Sequence, residues 1–304
     1  MPTQPRCAMD PSEQIKNLPK HHDFFVGFDS DGCVFDTMEI KHKECFCPNF
    51  IKHFSLQVVS KYAREAWEFI NLYSKHRGCN RFLAVQRSLD VLAARSEVVN
   101  RNASMPPLPS LRDWTRHESQ LGNPTLEAEV ERTGDAELQQ VLDWSLAVNA
   151  AVTELVHGLP PFPGVAETFE AGAGHADMIV VSATPLQTLQ REWQEIQLDH
   201  YLQMIAGQEQ GSKTEHLEYA ARGKYDPDKI LMIGDAPGDL KAASANGALF
   251  FPVVPGREEQ SWANLASEGI DRFFNGRFAG AYQQILLAEF DEALPENPPW
   301  QGSG

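Results

Sequence analysis

Phe24-Phe25-Val26-Gly27-Phe28-Asp29-Ser30-Asp31-Gly32-Cys33-Val34-Phe35-Asp36-Thr37 is the stretch on which the fold turns. Four of its first five residues are apolar, and the run then breaks into acid, small residue, acid and glycine. A short apolar run ending in a turn signal reads as a buried strand of a parallel sheet. Ligand sites in such sheets gather at the carboxyl ends of the strands. Asp29 and Asp31 stand at that end, and a spacing of two puts both side chains on one side of an extended backbone. Two carboxylates so close repel each other unless a cation or a shared proton lies between them. Taken alone, Asp-Ser-Asp-Gly reads equally as a solvated turn, and later segments decide between the readings.

Beyond Thr37 the pattern is helical for about 120 residues. Val59, Tyr62, Ala66, Phe69, Ile70 and Tyr73 fall at three- and four-residue steps, and Leu83, Val85, Leu89 and Leu92 repeat the pattern. Ser104 to Pro109 breaks it with three prolines. A short helix is expected from Leu111 to Gln120, with Ser110 as its cap. A long one opens at Gly134-Asp135 and stops at Gly158. From Leu159 onward the pattern changes to strands alternating with helices. Ala176 to Val181 runs into Ser182-Ala183-Thr184-Pro185, Leu202 to Ala206 precedes Gly211-Ser212-Lys213, and Lys229 to Ile233 runs into Gly234-Asp235-Ala236-Pro237-Gly238-Asp239. Ala248 to Val254 is the last clear strand. Such alternation predicts an α/β fold with a doubly wound parallel sheet whose strand tips share one cleft. The expected organisation is a flexible N-terminal arm (1–20), a core (21–37 and 159–290), an inserted all-helical domain (38–158) and a disordered Pro-rich tail (291–304).

Composition narrows the function. A net charge of −16 argues against a nucleic-acid partner and against anionic membranes, both of which demand basic faces. An anionic substrate would need a local basic patch or a metal. No run approaches the ~18 apolar residues of a membrane span. The first twenty residues are polar and lack a signal-peptide core. Five cysteines, an odd count scattered through a large chain, read as free thiols in a reducing cytosol, so a cytoplasmic location is expected. Cys45 and Cys47, near His42 and His53, have no second cysteine pair with which to complete a zinc site.

Four segments together resemble the motifs of the haloacid dehalogenase superfamily, in its phosphatase-type hydrolases. Asp29-Ser30-Asp31-Gly32 fits the first motif, Ser182 the second, Lys213 the third, and Gly234-Asp235 with Asp239 the fourth. Cys33 stands where the family often has Thr or Val, and Thr214 where it often has Pro after the lysine. The resemblance implies a Rossmann-like core with an inserted helical cap, Mg²⁺ as cofactor, and a small phosphorylated metabolite as partner. It also implies that Asp29 is the nucleophile and Asp31 the general acid and base. Asp29, Asp235 and the backbone carbonyl of Asp31 would hold the metal, with Asp239 in support. Ser182, neighbouring backbone N–H groups such as that of Ala183, and Lys213 would hold the phosphoryl oxygens. Carboxylate nucleophiles, acid–base carboxylates and a metal–lysine pair neutralising charge are what phosphoryl transfer requires. The presence of Asp31 favours phosphate esters over halides, which leave without a proton.

In the helical segment, Lys75-His76-Arg77-Gly78-Cys79-Asn80-Arg81 is a basic turn in an acidic chain. It resembles the G-x-x-R substrate loop of sugar-phosphate phosphatases and mutases, which makes Arg77 and Arg81 candidate substrate contacts. A solvated turn is the alternative. Phosphomutases share the core, but mutase-type relatives carry a His twelve positions beyond the nucleophile, where this chain has Lys41 and, one step on, His42. A non-catalytic phosphate-binding protein would be expected to have lost Asp29, Asp31 or Lys213. The expected assembly is a monomer or a homodimer.

Overall fold

In the computed structural model, which describes residues 10–301, Phe24–Phe28 forms strand β1, buried from Phe25 onward. It lies at the middle of a five-stranded sheet with β2 (Ala176–Val181), β3 (Met204–Ala206), β4 (Ile230–Gly234) and β5 (Leu249–Pro252). All pairings are parallel and the order is β3-β2-β1-β4-β5. Phe28 is level with Val180 on one side and Ile233 on the other. The chain builds outward from β1 through β2 to β3, then crosses back to lay β4 and β5 on the other flank. That reversal beside β1 is the switch point at which doubly wound sheets open a crevice. The central strands β1, β2 and β4, buried on both faces, explain the continuous apolar runs in the sequence. Phe28 stacks on Phe169, and Trp193 and Trp262 are wholly buried in the same core.

Contacts divide the described residues into two units. The sheet unit contains 10–36 and 158–290, and the second unit contains 37–157 with 291–301. The second unit is helical, with no strand among the described residues. Its main helices are Cys47–His53, Ser60–Leu72, Arg81–Ala93, Pro109–His117, Asn123–Thr133 and Ala136–Leu155. Trp67 and Trp144, both fully buried, centre its core among Phe46, Phe50 and Phe54.

Three expectations need correction. Ser110 does not cap the helix Pro109–His117: Leu108 stands at the N-cap and Pro109 fills the first helical position. Ser110 Oγ instead donates to Asp135 Oδ2 at 2.7 Å, and Asp135 caps Ala136–Leu155 by accepting from the amides of Glu137 and Leu138. The arm expected to be flexible is structured from Asp10. Pro11–Lys16 is a helix capped by Asp10 whose Ile15 is wholly buried, while residues 1–9 lie outside the described residues. The tail expected to be disordered packs on the helical unit, leaving only 302–304 outside the described residues. Leu294 is 1% exposed, the Lys75 amide donates to the Pro295 carbonyl, and Trp300 meets Phe69 edge-on beneath the Arg95 guanidinium. In both segments one or two apolar side chains and a cation–π contact (Lys16 over Tyr219, Arg95 over Trp300) anchor a polar stretch that composition alone reads as solvated.

Candidate active site

The β1 ladder continues one residue past the strand, since the Asp29 amide donates to the Ile233 carbonyl at 2.9 Å. Asp29 is therefore fixed at the strand tip, 4% exposed. Gly27 explains how a lysine reaches it. A side chain at Gly27 would stand 3.2 Å from Leu217 Cδ2, so the glycine lets the helix Lys213–Ala220 lie close against β1. Asp29 lies on the same side of the strand, two residues on. Lys213, first residue of that helix, places Nζ 2.8 Å from Asp29 Oδ1 and 2.7 Å from Asp239 Oδ1.

Gly234 ends β4 and has a similar reason to be glycine. A Cβ there would fall 2.5 Å from the Asp239 side chain, which folds back over it. Asp239 Oδ2 accepts from the Ala236 amide at 3.0 Å, tying the start of the helix Pro237–Ala245 to the lysine. Asp235, 1% exposed, completes the group: carboxylate oxygens of Asp29, Asp235 and Asp239 lie within 4.8 Å of one another. Among the described residues this is the only such gathering of metal-donor side chains, and the Cys45–Cys47 region forms none.

The electrostatics follow from burying three carboxylates around one ammonium. Burial pushes Asp29 up to about 7, against the pull of Lys213 and with a further push from Asp235. Burial lifts Asp239 to about 6, again opposed by Lys213. Burial alone would discharge Lys213, but Asp239 and Asp29 outweigh it and raise its pKa. With every group ionised, the cluster carries two negative charges in excess (three carboxylates less one ammonium). Hard carboxylate oxygens with surplus negative charge are the donor set a small divalent cation such as Mg²⁺ requires, so these residues fit that ion.

A family model described as haloacid dehalogenase-like hydrolase matches residues 26–247, from β1 to the turn before β5. The chain belongs to that family. The match takes in β1, Ser182, Lys213 and the Gly234–Asp239 turn, and it identifies the protein as a hydrolase. Among solved structures, one similar chain is a haloacid dehalogenase-like family hydrolase from Streptococcus pneumoniae, at 15% identity and a TM-score of 0.44, covering 79% of this chain and 90% of that one. A subfamily IA hydrolase from Geobacter sulfurreducens has 16% identity and a TM-score of 0.35, covering 77% and 88%. A predicted phosphoglycolate phosphatase from Haemophilus somnus has 17% identity and a TM-score of 0.39, covering 81% and 98%. No curated protein matches the chain.

In this haloacid dehalogenase-like hydrolase, Asp31 sits in the turn after Asp29. The Ser30 carbonyl accepts from the amides of Cys33, Val34 and Phe35, and Gly32 takes φ +76°. Thr184 Oγ1 donates to Asp31 Oδ2 at 2.7 Å, and the Thr184 amide donates to Ser182 Oγ at 3.2 Å. Ser182 is itself set at the tip of β2, its amide donating to the Ala206 carbonyl, and Ala183 beside it is exposed. Two indoles hold the turn from the core side: Trp193 Nε1 donates to Ser30 Oγ at 3.0 Å and Trp262 Nε1 to the Cys33 carbonyl at 2.7 Å. Thr184, Trp193 and Trp262 were not singled out from sequence. Thr184 had a local signal, a second hydroxyl two residues after the motif serine. The tryptophans had none beyond being apolar.

Arg77 and Arg81 belong to the helical unit. Arg77 is 4% exposed and donates to the Leu72 carbonyl at 2.9 Å, so it is built into that unit rather than solvated. Arg81 Nη1 donates to Ser145 Oγ at 3.0 Å and to Asn149 Oδ1 at 2.7 Å, and its guanidinium lies 5.1 Å from the centroid of the Phe46 ring. Burial among these neutral partners lowers its pKa to about 10.

Proposed function

We propose that the protein is a Mg²⁺-dependent phosphatase that hydrolyses a small organic phosphate monoester through an aspartyl-phosphate on Asp29. The observation that carries this reading is the Lys213 ammonium shared between Asp29 and Asp239 beside Asp235, at the tips of β1 and β4. Such a cluster has no packing purpose: charged groups are costly to bury, and they are concentrated here at the switch point of the sheet. In the proposed reaction an Asp29 carboxylate oxygen attacks phosphorus. Asp31 donates a proton to the leaving alcohol, then takes one from the water that hydrolyses the acyl phosphate. Lys213 neutralises phosphoryl charge, and the Ser182 hydroxyl with the Ala183 amide orients the phosphoryl oxygens. Mg²⁺, held by Asp29, Asp235 and the Asp31 carbonyl with Asp239 in support, would supply charge neutralisation at the phosphoryl group. Arg81, whose partners are neutral, is the candidate for reading a distal anionic group of the substrate, and Arg77 supports the turn that presents it.

His42 accepts from Trp67 Nε1 at 3.2 Å and stacks on Phe46, and no observation favours the phosphomutase reading. The test is phosphate release from a panel of small phosphorylated metabolites, with Mg²⁺ and with EDTA. Turnover should require the metal. Asp29→Asn, nearly isosteric, should abolish turnover while leaving the circular dichroism spectrum unchanged. Retention of more than a few per cent of activity by this variant would refute the covalent route.

A further inference from the structure

We propose that Thr184 is a positioning residue for Asp31, holding one carboxylate oxygen so that the other carries the catalytic proton. This rests on the reading of Asp31 as acid and base. The Thr184 hydroxyl has one proton to give, and it gives it to Asp31 Oδ2 at 2.7 Å. With Oδ2 engaged by the hydroxyl, the proposal assigns the catalytic proton to Oδ1.

A threonine on a free loop could not impose this, but Thr184 is fixed from several directions. Its amide donates to Ser182 Oγ at 3.2 Å, and its carbonyl accepts from the Gln208 amide at 3.1 Å. Gly207 backs that carbonyl so closely that a Cβ there would stand 2.7 Å from the Thr184 oxygen. Two residues on, the Leu186 amide donates to Glu209 Oε2 at 2.9 Å. The hydroxyl is thus referenced to the tip of β2 and to the turn after β3, the same turn that leads into Lys213. Asp31 lies in a loop beyond its strand, and the Thr184 hydroxyl ties one of its carboxylate oxygens to this framework.

The chemistry specifies where the contact matters. As the bond from Asp29 to phosphorus forms and the ester P–O bond breaks, the proton on Asp31 Oδ1 passes to the departing alkoxide. In the second half Oδ1 takes a proton from water while the water oxygen bonds to phosphorus and the Asp29–phosphorus bond breaks, releasing inorganic phosphate. An alkyl alkoxide needs that first proton, whereas p-nitrophenolate leaves without it. Well-placed acid assistance is worth about 10²–10⁴-fold, and a misplaced carboxyl forfeits part of this.

Thr184→Val keeps the shape and removes the hydroxyl. Its kcat/KM should fall roughly 10- to 100-fold on the best alkyl phosphate of the panel and no more than about threefold on p-nitrophenyl phosphate. Thr184→Ser should restore the alkyl activity to within about threefold of the natural enzyme. If the valine variant does not fold, as judged by circular dichroism, Thr184→Ala takes its place with the same expectation. Equal losses on both substrates, or no loss on either, would overturn the proposal. Asp31→Asn, measured in parallel, separates the two levels. If it shows the leaving-group-dependent loss and the Thr184 variants do not, the positioning role alone is wrong. If Asp31→Asn itself shows no such dependence, the acid–base reading of Asp31 fails and the proposal with it.

Discussion

Mg²⁺ binding to the carboxylate cluster should release protons and weaken steeply in acid. Burial lifts Asp29 from an ordinary 3.8 to about 7 and Asp239 to about 6. Both values are raised, so the cation-free folded chain binds more protons than the unfolded one. These two groups therefore contribute stability fully below pH 3.8, and lose it as the pH rises through about 6 and 7. A divalent cation held by the deprotonated cluster would reverse the trend, stabilising the protein most where the carboxylates repel each other most. At pH 6 Asp29 and Asp239 together hold about 1.4 protons, most of them on Asp29, and binding should expel them; at pH 8 the count for this pair falls to about 0.1. Between pH 8 and pH 5 the deprotonation cost grows by about 2 pKa units at Asp29 and about 1 at Asp239. At about 1.4 kcal/mol per unit this totals about 4 kcal/mol, an affinity loss on the order of 10³-fold. Isothermal titration calorimetry in two buffers of different ionisation enthalpy measures both the affinity and the proton count. An affinity that does not change with pH, or a proton count near zero at pH 6, would refute the electrostatic account of the cluster.

Two further substitutions test the framework around the site. Gly234→Ala should push Asp239 off Lys213, since the new Cβ would fall 2.5 Å from the Asp239 side chain. The expected cost is about 1–3 kcal/mol of stability with a large loss of turnover, read by urea denaturation and phosphate release, and unchanged turnover would contradict it. Asp177, 1% exposed at the start of β2, accepts from the amides of His21 and His22, from His22 Nδ1, from Gln203 and from Tyr225. Burial works to raise its pKa, but the bonds from Tyr225, His22 and His21 prevail and hold it below the ordinary value. That contribution is present above pH 3.8 and is lost as the pH falls through the lowered value. Asp177→Asn should cost about 3 kcal/mol at pH 7, and a loss under about 1 kcal/mol in urea denaturation would show that the network is slack.

Periodicity and punctuation are local properties, and what they encode was legible in the chain. The helical spacing from Val59 to Tyr73 fixes which face of its helix is buried, and the apolar run Phe24–Phe28 and the strand that ends at Gly234 mark segments buried on both faces. The right-handed crossover rule then brings the strand tips together, and the motif resemblance names Asp29, Lys213, Asp235 and Asp239 as the residues expected to meet there. Tertiary structure decided which donor meets which acceptor. Thr184 reaches Asp31 across 153 residues, Trp193 reaches Ser30 across 163, and Trp262 reaches the Cys33 carbonyl across 229. No periodicity carries such pairings, because each depends on how two separately formed elements pack. The same holds for the segments misread as loose: Ile15 and Leu294 are buried anchors in polar stretches, and their burial exists only once a surface elsewhere in the chain has formed to receive them. The elevated pKa of Asp29 belongs with these. Its carboxyl is ordinary in the unfolded chain and becomes a reluctant acid only when the sheet, a helix and two further carboxylates close around it.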